Sequence, residues 1–380
     1  VRIPLFDPSP RLTRVRGDLV AAFAELLDQG AFVLGPAVAA FEGALAAYLG
    51  GGEVVGVASG SDALELALRA LDVGPGQAVL TTPFTFVATA EAIRHAGATP
   101  VFVDVRADDL LLDLEAVEGG LAALPRSPGG RPRLPSGEEI TALLPVHLFG
   151  AVLPREPLAR LCERFRLWLV EDAAQALGGH HGGRRAGTFG QAGCFSFFPS
   201  KTLGGLGDGG AIWVGDGALA RRLRGLRQHG QPSKLEPSVE AGRNSRLDAL
   251  QAAMLSALLP RLDTEIDERR ALLARYRGLL AGATGVRPLG PAALDGHGAQ
   301  QMIVRCADRD ALAALLQGRG VGTAVYYPAP LHHLAPYRGC PALGPLVAAE
   351  QAAREALALP LFPGLAPEAV DEVCALLRSA

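Results

Sequence analysis

From about residue 36 the apolar positions switch back and forth between two periods. "PAVAAFEGALAAYL", "SDALELALRAL" and "FVATAEAIRHAG" repeat apolar residues at the three-to-four spacing of an amphipathic helix. Between them "EVVGVA", "QAVLTT" and "TPVFVDV" are apolar runs of strand length. Helices and buried strands in turn predict an α/β architecture, a mostly parallel sheet sandwiched by helices. The Pro/Gly/Arg-rich stretch "LPRSPGGRPRLPSG", at about 125–138, interrupts the pattern and reads as a surface loop. "ALLPVHLFG" and "LWLVEDAAQ" resume it, so an N-terminal arm and one large domain are expected over 1–245. Over 246–380 the helices "RLDALQAAMLSALL" and "TEIDERRALLARYRGLLAG" precede strand candidates "QQMIVRC" and "GTAVYYP", which flank the helix "RDALAALLQGRG". That order predicts a smaller α+β C-terminal domain.

A formal net charge of -3 with interspersed signs leaves no basic stripe, so nucleic acid is not an expected partner. No apolar stretch approaches the roughly 18 residues that cross a bilayer, and "VRIPLFDPSP" has no charged-then-apolar leader pattern. The expectation is a soluble, cytoplasmic protein without membrane contact. Cys162, Cys194, Cys306, Cys340 and Cys374 are odd in number and form no CxxC pair, which suggests buried thiols and neither a disulfide framework nor a metal site.

Chemistry enters with the bases. Only two of the 36 lysine and arginine residues are lysines, Lys201 and Lys234. Arginine stays protonated, whereas a lysine amine can lose its proton and attack. Lys234, in the polar loop "GQPSKLEPS", reads as an ordinary surface cation; Lys201, in "FSFFPSKTLGGLGDGG", sits among aromatics, small hydroxyls and glycines. Other polar residues fall at the predicted strand ends, where parallel sheets gather ligands. In "VASGSDAL", Ser59, Gly60 and Ser61 open a helix whose free N–H groups suit a phosphate, or serve as a plain cap. "LWLVEDAAQALGG" ends a strand in Glu171 and Asp172, with Gln175 close behind; such an aspartate is a turn residue or the partner of a heterocyclic nitrogen. Phe86 of "TTPFTFVATAEAI" is core or a plate for a flat ring. Together these features match the needs of pyridoxal phosphate, an aldehyde held by a lysine with a carboxylate on its ring nitrogen.

Over nearly its whole length the chain resembles the DegT-type (DegT/StrS) sugar aminotransferases, pyridoxal-phosphate enzymes of the aspartate-aminotransferase fold, fold type I. The resemblance rests on eight ordered stretches that include "GAFVLGPAVAAFEGALAAYLG", "VASGSDALELAL", "PVHLFG", "VEDAAQALGG", "FSFFPSKTLGGLGDGGA", "GRNSRLDALQAAML" and "YYPAPLHH". It implies an internal aldimine on Lys201, which then moves the proton, and Asp172 on the ring nitrogen. It further implies Gln175 at the phenolic oxygen, Phe86 on the ring face, and Gly60, Ser61 and Ser196 at the phosphate. Asn244 would reach the cofactor of a neighbouring subunit, making the active unit a homodimer with shared sites. His147, His332 and Tyr327 are candidates for the substrate side. "GDGG" after the lysine, with "NSRLDALQAA" and "YYPAPLHH", is most similar to the branch acting at C3 of 3-keto nucleotide sugars, with L-glutamate as amino donor. Two other readings stay open: an aminotransferase for a keto-cyclitol or related ring, and a non-catalytic, cofactor-binding regulator or scaffold.

Overall fold

The structure, a computed structural model, describes residues 2–231 and 236–379; Lys234 lies outside the described residues. Nine strands precede residue 215: β1 (Glu53–Val57), β2 (Gln77–Thr81), β3 (Thr99–Phe102), β4 (Glu139–Leu143), β5 (Trp168–Asp172), β6 (His180–His181), β7 (Arg184–Arg185), β8 (Ala192–Ser196) and β9 (Gly210–Val214). β6 and β7 form a small hairpin, and the other seven make one sheet in the order β1-β9-β8-β5-β4-β2-β3. Only β9 runs antiparallel to its neighbours. Both faces are buried, as parallel strands require. Val55, Val79, Ala142 and Val170 pack into one core, while Ala78, Leu80, Leu143 and Leu169 pack into another. This is the period of two that reads as continuous apolar runs in the sequence.

A second sheet of β10 (Val286–Pro288), β11 (Met302–Cys306) and β12 (Ala356–Leu359) is wholly antiparallel and shares a core with Tyr276, Leu316 and Val373 from three helices. Two expectations change here. "GTAVYYP" forms no strand: Ala324 makes a single bridge to Ala358, and the chain then turns Tyr326 and Tyr327 into the cavity described below. The arm is expected with the large domain, whereas its Ile3 bridges Val321 and lies in the core of the second sheet. A helix absent from the sequence reading, Ser9–Gln29, follows and packs beside helix Ala249–Leu258. The 125–138 stretch folds back through bridges Arg126–Pro132 and Arg133–Glu139. Among the described residues no helix is long and apolar enough to cross a membrane.

Candidate active site

The ends of β1, β8, β5 and β2 converge on a cavity of about 420 Å³, lined by Gly60, Phe86, Asp172, Gln175, Ser196 and Lys201, among others. Ser61 and Tyr327 also line it. Eight of the sequence-derived candidates therefore meet in one place.

Each is placed by a local cause. Ser59 caps helix Gly60–Ala70 by accepting the Asp62 amide at 3.1 Å. The amides of Gly60 and Ser61 come before the first intrahelical bond and are free for a ligand. A Cβ on Gly60 would stand 2.7 Å from Ser196 Cβ, and one on Gly210 would stand 2.4 Å from the Ser59 carbonyl. Bare glycines thus let the helix start, the end of β8 and the start of β9 close into a cradle. Asp62, the one acid in that first turn, is drawn aside by Ser245 at 2.6 Å and Arg243 at 2.8 Å, which leaves the positive end of the helix for an anion.

On β5, neighbouring carboxylates part to opposite faces. Asp172 accepts from Thr89 Oγ1 at 2.7 Å and from the Ala174 amide at 3.2 Å, and Thr85 Oγ1 lies 3.0 Å from that of Thr89. Burial raises the Asp172 carboxyl above the ordinary range, while the Thr89 bond, the Ala174 amide and the charge of Lys201 oppose it. Burial lowers the Lys201 amine, with only the Asp172 charge opposing, so its neutral form is favoured relative to a lysine in water. Gln175 has a fixed amide: its Oε1 accepts from Phe149 N–H at 2.9 Å and its Nε2 donates to the Tyr327 hydroxyl at 2.9 Å. The Phe149 ring stacks on Tyr327 with centroids 6.4 Å apart, and Phe86, 55% exposed, offers a free face across from it.

Three candidates stand apart from the cavity. His147 is fully buried; its Nδ1 accepts from Leu153 N–H at 3.1 Å, so Nε2 carries the hydrogen that faces Glu171 at 2.9 Å. Glu171 also accepts from the amides of Gly187, Phe189 and Gly190, which makes this pair a tie beneath the sheet. His332 pairs with Glu350 instead. Asn244 is exposed and bridges Gln228; it is not a helix cap, because the following helix starts at Ala249 with Asp248 in the cap position. Several wall residues escaped the sequence reading. Thr89 had a faint signal, its four-residue spacing from Thr85; Gln300, which holds the Ser200 carbonyl at 2.8 Å, had none, since it comes from a distant part of the chain.

The residues fit pyridoxal phosphate. The glycine-lined cradle, a buried acid opposite a buried amine, and an aromatic face are the donor set that the phosphate, the ring nitrogen, the aldehyde and the ring require.

Comparison with known proteins agrees. The model of the DegT/DnrJ/EryC1/StrS aminotransferase family matches residues 14–378. A pleiotropic regulatory protein of Geobacillus stearothermophilus is 40% identical over 97% of this chain and 95% of its own. The dTDP-3-amino-3,4,6-trideoxy-alpha-D-glucose transaminase of Streptomyces venezuelae is 41% identical over 96% of this chain and 92% of its own. Among solved structures, S. venezuelae DesV in complex with a ketimine intermediate gives a TM-score of 0.92 at 40% identity, covering 100% of this chain and 98% of that one. Bacillus subtilis NtdA with bound cofactor PMP gives 0.87 at 26% identity, covering 100% and 86%. With a family match over nearly all of its length and relatives of this similarity, the chain belongs to the DegT/DnrJ/EryC1/StrS aminotransferase family.

Proposed function

We propose that this protein moves an amino group from L-glutamate to a keto nucleotide sugar, at C3 of a 3-keto hexose, with pyridoxal phosphate as cofactor. The observation that carries the reading is the meeting of Lys201, Asp172 and the glycine cradle in one cavity. Bound there, the cofactor supplies an electron sink for the carbon that gives up its proton. The chain supplies the rest. Lys201 would hold the aldehyde, and its Nζ, in the neutral form that burial favours, would accept and return a proton, a task an always-protonated base cannot perform. Asp172, kept in position by Thr89 and Ala174, would hold the proton on the ring nitrogen. From their places on the cavity wall, Gln175 would donate at the phenolic oxygen, Phe86 would cover the ring, and Gly60, Ser61 and Ser196 would receive the phosphate. Tyr327, also on the wall, would meet the substrate.

Support for C3 of a nucleotide sugar comes from relatives whose names carry that position: the S. venezuelae transaminase above and the UDP-N-acetyl-3-dehydro-alpha-D-glucosamine 3-aminotranferase of Acidithiobacillus ferrooxidans. The active unit is a homodimer. Val20, Phe23, Leu27, Phe32, Val33 and Leu250 are exposed, and Phe32 and Val33 adjoin the start of the helix bearing Leu250 through the Val33–Asp248 bridge. Apolar surface of this extent on adjoining elements marks an interface. Asn244 is exposed on the same stretch of chain, between Arg243 and Ser245, which grip the phosphate-side helix. In this reading Asn244 reaches the cofactor of the neighbouring subunit.

The test uses purified holoenzyme. L-glutamate alone should yield a single turnover of 2-oxoglutarate, and a panel of 3-keto and 4-keto nucleotide sugars and keto-cyclitols should show a product mass with amine in place of oxygen for the 3-keto sugars. Release of no oxo acid leaves the regulator reading, and amination of cyclitols alone leaves the other enzyme. Mixing inactive Lys201→Ala and Asn244→Ala subunits should restore part of the activity; no return under proven subunit exchange removes the shared site.

A further inference from the structure

Beyond the cavity wall at Tyr327, the chain reaches the short turn Leu331–His333, which lies against helix Val347–Glu355. Here, among the described residues, two histidines and a carboxylate bring three ligand atoms within 4.8 Å of one another. His332 Nε2 is 3.2 Å and His333 Nε2 is 3.4 Å from the same oxygen, Glu350 Oε1. The two ring centroids are 4.3 Å apart and the rings are tilted by 63°. Ligands held at about 2.0–2.1 Å from a tetrahedral zinc ion are themselves about 3.3–3.4 Å apart. Two of the three separations, 3.2 and 3.4 Å, already lie close to that value.

We propose that His332, His333 and Glu350 form a binding site for a divalent transition cation of the zinc type, with the remaining coordination position left to water. Two imidazoles select such a cation over magnesium or calcium, which take oxygen ligands. A glutamate side chain is ionised at neutral pH, so Glu350 brings a negative charge to meet the cation. Access is open, since the His333 side chain is 52% and that of Glu350 37% exposed. His332 Nδ1 is buried without a partner. The hydrogen that Nε2 now gives to Glu350 can therefore move to Nδ1 when a cation displaces it, which frees Nε2 for the metal. The same absence sets the strength. A ligating histidine normally donates its second N–H to an acceptor, and loss of that support weakens binding by about ten- to a hundredfold. The site should bind zinc reversibly.

Occupation would fasten the turn to the helix. Leu331 N–H donates to the Pro83 carbonyl at 2.8 Å, three residues before Phe86, so the clamp would also brace two stretches of the cavity wall. The site is separate from the proposed amino-transfer chemistry and does not depend on it.

The test takes tag-free holoenzyme, stripped with chelator and dialysed against zinc chloride, with metal content measured per chain. Wild type should retain about one more zinc per chain than His333→Ala or Glu350→Gln, the difference cancelling any zinc held by the cofactor or thiols. Thermal unfolding gives the second reading: zinc should raise the Tm of wild type and leave that of both variants where it was. Both changes are at exposed side chains, and an unchanged cofactor absorption verifies the fold. Equal zinc content in all three proteins, or an equal Tm response, overturns the site and reduces the cluster to ordinary histidine–glutamate pairing.

Discussion

Thr89→Val removes the hydroxyl that donates to Asp172 Oδ2 at 2.7 Å while keeping the volume of a fully buried side chain. Asp172 keeps one donor from the protein, the Ala174 amide at 3.2 Å. A hydrogen bond to a charged group contributes about 1.5–3 kcal/mol. Its loss falls on the ionised form, so the Asp172 carboxyl rises still further above the ordinary range. The sign of the pH effect follows. A carboxyl with a raised pKa in the folded state binds its proton more tightly there than in the unfolded chain, so stability falls as pH rises between the two values. At acid pH, with Asp172 protonated in both states, variant and wild type should differ little. At alkaline pH the variant should be weaker by up to about 1.5–3 kcal/mol. Urea unfolding of the cofactor-free protein across that range measures the difference. A deficit of the same size at every pH would refute the reasoning, since it would come from packing or from the hydroxyl of Thr85, which loses its partner as well.

Lys201→Arg keeps the charge but removes the amine that can be neutral, so turnover should fall by at least about a hundredfold in a steady-state assay. Borohydride reduction of wild type followed by peptide mass mapping should place the cofactor on the peptide holding Lys201. Gly60→Ala sets a Cβ 2.7 Å from that of Ser196; overpacking of this kind costs about 1–3 kcal/mol, to be read as weaker cofactor retention on dialysis rather than as a changed substrate preference. Glu171→Gln places an amide among three backbone N–H donors and should destabilise the protein by about 3 kcal/mol or more in denaturant titration, without a specific effect on the half-reaction with glutamate.

How far the sequence discloses the site depends on where each residue's partners come from. The cradle was legible because its parts are local: a serine cap, a helix start and a glycine-rich loop each announce themselves within a few residues. Asp172 was legible for the same reason, as a polar residue ending an apolar strand. Its neighbour Glu171 carried the same signal, and only the strand's period of two separates them, sending one to Thr89 and the cavity and the other to His147 beneath. The positions of His147 and His332 outside the cavity lining were not legible, because an imidazole is equally at home bonded to a carboxylate, and nothing within "PVHLFG" or "PLHH" names Glu171 or Glu350. Helix Ser9–Gln29 escaped notice because its two sides compete: Val15, Leu19 and Leu26 face inward, while Val20, Phe23 and Leu27 are exposed and blur the period. That blurring is itself informative. A helix apolar on both sides either lies in a core or has a second surface to meet, and this one has one side already packed on helix Ala249–Leu258. The irregularity that hid the helix is thus the mark that the proposed subunit interface leaves in the sequence.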